Sequence, residues 1–441
     1  MAVPDQNTAM RKARAPFARS CLEGEATTMP AMSSVDEIDF EAEAQLDRTI
    51  QFTHALSPHA LTPTSVFLTG ATGFLGAYLL DELLHQTEAT VYCLVRASDA
   101  DTAKQRLVGH LQAYDLWHQA LASRIRPVVG DLTQPYLGLS AEQFLHLATQ
   151  VDVIYHSAGW INTVFPYARL KPTNVVGTQE VLRLAGLVAT KPVHFMSTLA
   201  VLFSEAHADV EVLKESDTPH YHPSLKSGYS KSKWVADRLV AQAQARGLPT
   251  CIYRPVRIMG HSRTGAINDM NDILPLVLKG CILLGKYPAF NIDVTLVPVD
   301  YVSRAMVHLA SQEKSWGRAF HFFHPAPLAW HRLMASLRAL GYPLEEVAYD
   351  QWWQEIKQRT RQNMAQPAEH KSFFATLLLA LIAPHYLLYK RPLLDASYTQ
   401  EGLAGTDIVC PPFDHALIAT YVAYWQKSGY LPMPSEQPTP S

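Results

Sequence analysis

A doubly wound α/β fold, a parallel sheet with helices on both faces, is the class the sequence predicts. Three observations carry it. Compact apolar, β-rich runs alternate with helical stretches from about Ser65 to about Gly260, and a glycine-rich turn follows the first of these runs. Hydrophobic residues make up 48% of 441 and charged residues 17%, enough apolar chain for a sizeable core. Strands that alternate with helices pair in parallel and are buried on both faces, so they read as continuous apolar runs.

The elements follow in order. Residues 1–35 carry Arg11, Lys12, Arg14 and Arg19 among Asp5, Glu23 and Glu25, with no apolar segment of signal-peptide length, so a flexible tail is expected. "SSVDEIDFEAEAQLDRTI" sets a serine stop before acidic and apolar residues at helical spacing, which predicts a leading helix and linker over 36–60. "SVFLTG" is too short for a helix and reads as the first strand, and "FLGAYLLDELLHQ" as the first helix. "ATVYCLVRA", "IRPVVGDL", "VDVIYHSAG", "PVHFMSTLAV" and "PTCIYRPVRI" are further strands, with helical sequence between most of them. The nucleotide-binding domain therefore spans 61–265, and "VTLVPVDYVSRAMVHLA" brings a strand and helix back to it over 292–312. Residues 266–291 and 313–435, richer in Trp, Tyr and Pro, form a smaller, mainly helical substrate-binding lobe, and 436–441 a second tail. Trp352 and Trp353 are expected in the core of that lobe or lining a tunnel through it. "FFATLLLALIAPHYLLY", 373–389, falls short of a membrane span and is broken by Pro384 and His385, so a buried helix is expected and no stable membrane insertion.

A net charge of -3 gives no bulk attraction for nucleic acid or an anionic membrane, so nucleic acid is not an expected partner. The five cysteines are scattered without a C-x-x-C pair, which suits reduced thiols in a cytoplasmic protein. His156, His194, His222 and His261 show no metal-ligand spacing and read as structural hydrogen-bonding residues, and no metal is expected.

"TGATGFLG" sets Gly70, Gly73 and Gly76 in G-x-x-G-x-x-G spacing between a strand and its helix. The first glycine allows a tight turn, the second lets the backbone approach a pyrophosphate, and the third permits close helix packing. The helix N-terminus adds unpaired N–H groups. This predicts dinucleotide binding on a Rossmann-type sheet. The second strand ends in Arg96, where a carboxylate would suit the ribose 2′-OH of NAD; arginine suits a 2′-phosphate, with Arg106 on the next helix assisting. NADPH is the expected cofactor, the rival reading being two surface arginines paired with Asp99 and Asp101. Asp131, after the third strand, either accepts from the adenine amino group or caps a helix. Ser157 and Ala158 in "YHSAG" are small residues at the sheet's carboxyl edge, where the cofactor needs close backbone approach.

"GYSKSKWVADRLV" places Tyr229 and Lys233 on one face at the start of a helix, as a proton-transfer pair or as an ordinary helix opening with a solvated lysine. An adjacent ammonium stabilises a phenolate and moves tyrosine toward a working pKa. "MSTLAV" ends the fifth strand with Ser197 and Thr198. Hydroxyls of Thr198 and Tyr229 would polarise a carbonyl while hydride arrives from the nicotinamide, and Lys233 would also hold its ribose.

With the glycine loop, this Thr/Tyr/Lys set resembles the extended short-chain dehydrogenase/reductase superfamily. "VFLTGATGFLG", "VYCLVRA", "GDLTQPYLGLS", "NVVGTQEVLRLA", "GYSKSKWVADRLV" and "CPPFDHALIATYVAYWQKSGYLP" narrow the likeness. Together they resemble the thioester reductase (R) domains of nonribosomal peptide and polyketide synthetases and carboxylic acid reductases, from about residue 36 to 434. The resemblance implies NADPH-dependent reduction of a phosphopantetheine-bound acyl thioester, through a thiohemiacetal, to an aldehyde and in some members to the alcohol. It implies catalytic Thr198, Tyr229 and Lys233, and a cofactor site that adds Thr72, Phe74, Leu75, Leu132 and Asn174 to the residues above. Val256, Gly159 and Trp160 depart from the family pattern near the pocket. No adenylation or carrier sequence precedes the leading segment. A free-standing protein meeting its acyl carrier or acyl-CoA in trans is therefore expected; the resemblance also implies secondary metabolite biosynthesis, and a monomer is the expected state. The alternatives are a fatty acyl-CoA reductase, a sugar-nucleotide epimerase or dehydratase, which Arg96 argues against, and a catalytically silent NADP-binding sensor, which the intact Tyr229 and Lys233 argue against.

Overall fold

Apolar, β-branched runs bounded by turn residues become the strands of the sheet. In the computed structural model, which describes residues 38–207, 209–267, 272–363 and 392–434, the chain divides into Met1–Asp39 and Phe40–Ser441. Of the first unit only Ile38 and Asp39 are described, both outside regular secondary structure. In the second, strands β1 (Ser65–Thr69), β2 (Thr90–Val95), β3 (Ile125–Val129), β4 (Val153–His156), β5 (Val193–Met196), β6 (Thr250–Pro255) and β7 (Arg318–Phe322) form a seven-stranded sheet. All pair in parallel, in the order β7-β6-β5-β4-β1-β2-β3. The order reverses between β1 and β4, whose last residues Thr69 and His156 are register partners. Ligands of such sheets bind in the crevice beyond the strand ends at that point.

Helix α1 (Phe74–Gln86) leaves β1 and packs on α7 (Val299–Ala310), while α4 (Gly177–Gly186) packs on α5 (Gly228–Ala245). Between them run α2 (Ala100–Ala113) and α3 (Ala141–Gln150). One apolar core fills the space between sheet and helices. A second gathers α6 (Ile273–Leu284), α8 (Trp330–Ala339), α9 (Tyr349–Asn363) and α11 (His415–Lys427) around Trp330, Trp352 and Trp425. Trp352 is fully buried there, and Trp353 stacks on Tyr349.

Three elements differ from the sequence reading. Among the described residues the leading helix is a single turn, Phe40–Glu43: Leu46 N, which would donate to Ala42 O in a longer helix, donates to Gln242 Oε1 (3.0 Å), and side chains also take the carbonyls beyond. The Arg246 guanidinium donates to those of Leu46 (2.7 Å), Asp47 (2.7 Å) and Ile50 (2.8 Å). The strand expected before α7 does not join the sheet: Leu296–Pro298 pairs with Arg257–Met259 instead, although its Val297 lies with the helix in the first core. Conversely β7, assigned by its position to the lobe, is the edge strand of the sheet. Helix α10 (Ser397–Leu403) packs on it, and Phe320, Phe322 and Leu403 lie in the first core. Its Arg318 stacks over Tyr398 and pairs with Glu401, a polar character that suits an edge strand and hides it in the sequence. Residues 1–35, the 373–389 run and 436–441 lie outside the described residues. Among the described residues no helix is long and apolar enough to cross a membrane.

Candidate active site

The glycine loop is held by contacts that exclude side chains. Gly70 has a left-handed φ of 84°, and a Cβ there would stand 2.8 Å from Ala158 N. A Cβ on Gly76 would meet the Gly70 carbonyl oxygen at 1.9 Å. Gly73 is the N-cap of α1, and no side chain caps the helix, so its first N–H groups face the crevice. Thr72 and Leu75 are partly buried, and the Phe74 ring turns away onto Tyr78 and Tyr114, each 5.5 Å off.

Arg96 is exposed at the end of β2, and Arg106 donates to its carbonyl. Among the described residues no ion pair joins either arginine to Asp99 or Asp101; Asp99 instead caps α2, accepting from Thr102 N at 2.7 Å. Asp131 Oδ1 accepts from Thr133 N (2.9 Å) and Oγ1 (2.8 Å), an Asx turn; the short helix Pro135–Gly138 that follows has Gln134 at its N-cap, so Asp131 caps no helix. Leu132 is buried against Gly177, where a Cβ would collide with it at 2.3 Å.

A buried relay fixes the edge formed by Ser157 and Ala158. Ala158 N donates to Thr69 Oγ1 (3.2 Å), which lies 2.7 Å from His156 Nδ1. Thr178 Oγ1 donates to the Asn174 carbonyl (2.8 Å) and lies 3.0 Å from His156 Nε2. The Thr178 hydroxyl proton is thus spent, so Nε2 carries the ring proton and Nδ1 accepts from Thr69. Burial, with Lys233 adding, pushes the imidazole down to about 3 and keeps it neutral. Asn174 sits in a π-helical turn, Pro172–Val176, before α4. Its Oδ1 accepts from Trp160 N (2.7 Å), and its Nδ2 donates to Trp160 O (3.1 Å) and Ser232 Oγ (2.9 Å). Both amide hydrogens are therefore committed within the protein, and what Asn174 contributes through them is the placement of the Trp160 loop.

Ser227 caps α5 through Ser230 N (3.0 Å), and Gly228 lets its first turn approach the backbone at Phe165, where a Cβ would stand 2.3 Å from the carbonyl oxygen. Tyr229, half-buried, and Lys233 then occupy one face of the helix. Lys233 Nζ donates to Met196 O at 2.7 Å and lies 4.2 Å from the Phe195 ring centroid. Burial pushes its ammonium down to about 7, with Asp237 opposing. Thr198 stands two residues beyond Met196, as N-cap of the turn Leu199–Val201 that packs on α5. The structure thus brings the β5 terminus and the Tyr229/Lys233 face together beside the switch point.

Sequence reasoning missed the support behind this group. Asp237, fully buried one turn past Lys233, holds Arg254 at 2.9 and 3.1 Å and accepts from Ser197 Oγ at 2.6 Å. Its i+4 spacing from Lys233 is the one signal the sequence offers. Val256 is buried with its N–H on Phe322 O (2.9 Å), and a side chain at Gly159 would meet only Asn174 Oδ1 at 3.6 Å, an ordinary contact. Trp160 remains 39% exposed, its ring edge-on to Phe165.

An NAD-binding family model described as "Male sterility protein" matches residues 68–306. The chain is 40% identical over 400 residues to a linear gramicidin synthase protein of Brevibacillus parabrevis, covering 90% of itself and 8% of that protein. It is 31% identical over 425 residues to the large chain of the L-2-aminoadipate reductase of Eremothecium gossypii, covering 90% of itself and 30% of that protein. It spans less than a third of either relative. Among solved structures it is similar to the terminal R domain from the myxalamid PKS-NRPS biosynthetic pathway, with a TM-score of 0.83 and 39% identity over 90% of this chain and 98% of that one. The reductase domain of a nonribosomal peptide synthetase from Mycobacterium tuberculosis gives a TM-score of 0.70 at 25% identity, covering 89% and 97%.

Proposed function

Because this chain belongs to the male sterility protein family, among the reductase (R) domains of the extended short-chain dehydrogenase/reductase superfamily, we propose that it reduces a phosphopantetheine-bound acyl thioester to the aldehyde with NADPH. The observation that carries this reading is the buried Lys233 ammonium on Met196 O, on the helix face of Tyr229 and beside the strand end that bears Thr198. The uncapped N-terminus of α1 supports pyrophosphate binding, and the exposed Arg96, with Arg106 on its carbonyl, supports a 2′-phosphate.

Bound nicotinamide supplies hydride to the thioester carbon. The hydroxyls of Thr198 and Tyr229 hydrogen-bond the carbonyl oxygen as charge develops, and a proton from Tyr229 completes the thiohemiacetal. Its collapse returns that proton to the Tyr229 oxygen as the C–S bond breaks, releasing the aldehyde and a thiolate that takes a proton from solvent. Protonated Lys233 places positive charge beside the phenol and offers its ammonium to the nicotinamide ribose, a contribution lost as pH rises through about 7. A second reduction of the aldehyde would give the alcohol.

The test is NADPH oxidation with an acyl group on a phosphopantetheinylated carrier added in trans, the product trapped and identified. Tyr229→Phe should lower kcat by roughly 10²–10⁴ with NADPH binding kept. Arg96→Ala should lower the kcat/KM preference for NADPH over NADH by about tenfold or more. Turnover of long-chain acyl-CoA alone would favour a fatty acyl-CoA reductase. NADPH binding without turnover on either class of thioester would overturn the reading in favour of a sensor.

A further inference from the structure

At the end of α1 away from the glycine loop, three side chains of metal-binding type converge. Asp81 and His85 lie one turn apart on the helix, His118 comes from the segment after α2, and one ligand atom of each lies within 4.8 Å of the others. Asp81 Oδ1 is buried without a well-directed hydrogen bond, and His85 Nδ1 stands 3.2 Å from it. His85 Nδ1 lies 2.9 Å from the Asp81 carbonyl, so the proton belongs on Nδ1 and the lone pair on Nε2. Ligating histidines are commonly oriented in this way, by a carbonyl on the other ring nitrogen. The His85 and His118 rings meet edge to face at 5.1 Å.

The frame is built before any ion arrives. Arg124, at the end of the short helix that begins after His118, donates to the carbonyls of Leu84, Thr87 (2.6 Å) and Ala89 (3.3 Å). That guanidinium fixes the His118 segment to the C-terminal end of α1. His261 also faces Asp81, but its Nδ1 accepts from Arg263 N (3.1 Å) and Thr264 N (3.4 Å), which commits its ring to its own loop.

We propose that Asp81, His85 and His118 form a site for a divalent cation of the zinc class. Two imidazoles and a carboxylate suit Zn²⁺, Co²⁺ or Ni²⁺, whereas Mg²⁺ and Ca²⁺ take oxygen ligands. The His85 side chain is 48% exposed, which gives the ion an entry path and leaves its remaining positions to water. At 1.5 Å per residue along α1, the site stands roughly 10–20 Å from the glycine loop. Its role is to clip the His118 segment to the helix, separate from the reduction chemistry.

The test is titration of the chelator-stripped full chain with Co²⁺, read by visible absorption, and with Zn²⁺, read by competition and by Tm. One equivalent should bind and raise Tm. Asp81→Asn, His85→Gln and His118→Gln should each weaken binding about tenfold or more, leaving NADPH affinity unchanged. His118 is not part of α1, so His118→Gln leaves the helix's own sequence intact, and the metal-free Tm of each variant checks its fold. No saturable binding at micromolar metal, or binding undiminished in all three variants, would overturn the site.

Discussion

Lys233 is 4% exposed, and its ammonium meets a carbonyl and a ring face in place of water. Burial pushes its pKa down to about 7 from the ordinary 10.5. Between those values the unfolded chain holds a proton that the folded chain lacks, so stability rises with pH across that window. At 1.36 kcal/mol per unit, the gain between pH 7 and pH 9 is on the order of 2–3 kcal/mol. Lys233→Met removes the titration and should abolish turnover. Its stability relative to the wild type should be most favourable at pH 6 and should fall by that amount toward pH 9, measured by denaturant unfolding at both pH values. An offset that does not change with pH would mean the amine is hydrated. The Tyr229/Lys233 spacing was legible because a helix face is a local property. Asp237 and Arg254, which hold a buried charge pair next to that amine, were not, since their meeting depends on α5 lying across β6.

At the scale of elements, the strand–loop–helix unit of β1 and α1 separates two roles that look alike in sequence. Gly76 sits against the Gly70 carbonyl, where a Cβ would intrude at 1.9 Å, whereas a Cβ on Gly73 would stand 3.1 Å from the same oxygen. Gly76→Ala should therefore cost about 1–3 kcal/mol or more, as overpacking does, and lower Tm. Gly73→Ala, at a φ of -99° that any residue adopts, should cost less Tm than Gly76→Ala, since a shift of a few tenths of an ångström relieves its one tight contact at 3.1 Å, while weakening NADPH affinity about tenfold because the pyrophosphate approaches that position. Thermal unfolding and NADPH fluorescence titration on the two variants check the division, and an equal loss of Tm would refute it. The loop was readable because each glycine answers a demand made within a few residues. The clasp of Trp160 by Asn174 was not, because it needs the π-helical turn at Pro172–Val176 to aim a buried amide at a loop before it in sequence.

Over the whole molecule, the central strands were legible from their apolar runs, but the closing edge was not. β7 arrives after the lobe has begun, and its place in the sheet depends on contacts with chain far away in sequence. Glu215, 1% exposed, makes several of them: it accepts from His321 N (2.7 Å) on β7, from Tyr398 N, and from Thr399 N (3.2 Å) and Oγ1 (2.6 Å) in the first turn of α10. The loop that carries it is tied to β6 by Arg254, which donates to Asp217 O at 3.1 Å. One carboxylate thus joins the segment after Thr198 to the sheet edge and to the returning helix. All its partners are donors, so it must be an acceptor throughout. Glu215→Gln keeps the shape but turns an NH₂ group toward backbone N–H groups, leaving at least one buried donor unmet at about 1–3 kcal/mol. A matched change, Glu401→Gln, removes only the partly exposed pair with Arg318 and should stay within about 0.5 kcal/mol. Unfolding of both variants should show a large loss for the first and little for the second. Equal, small losses would mean that water meets the donors at Tyr398 and Thr399 and that the edge closes without Glu215.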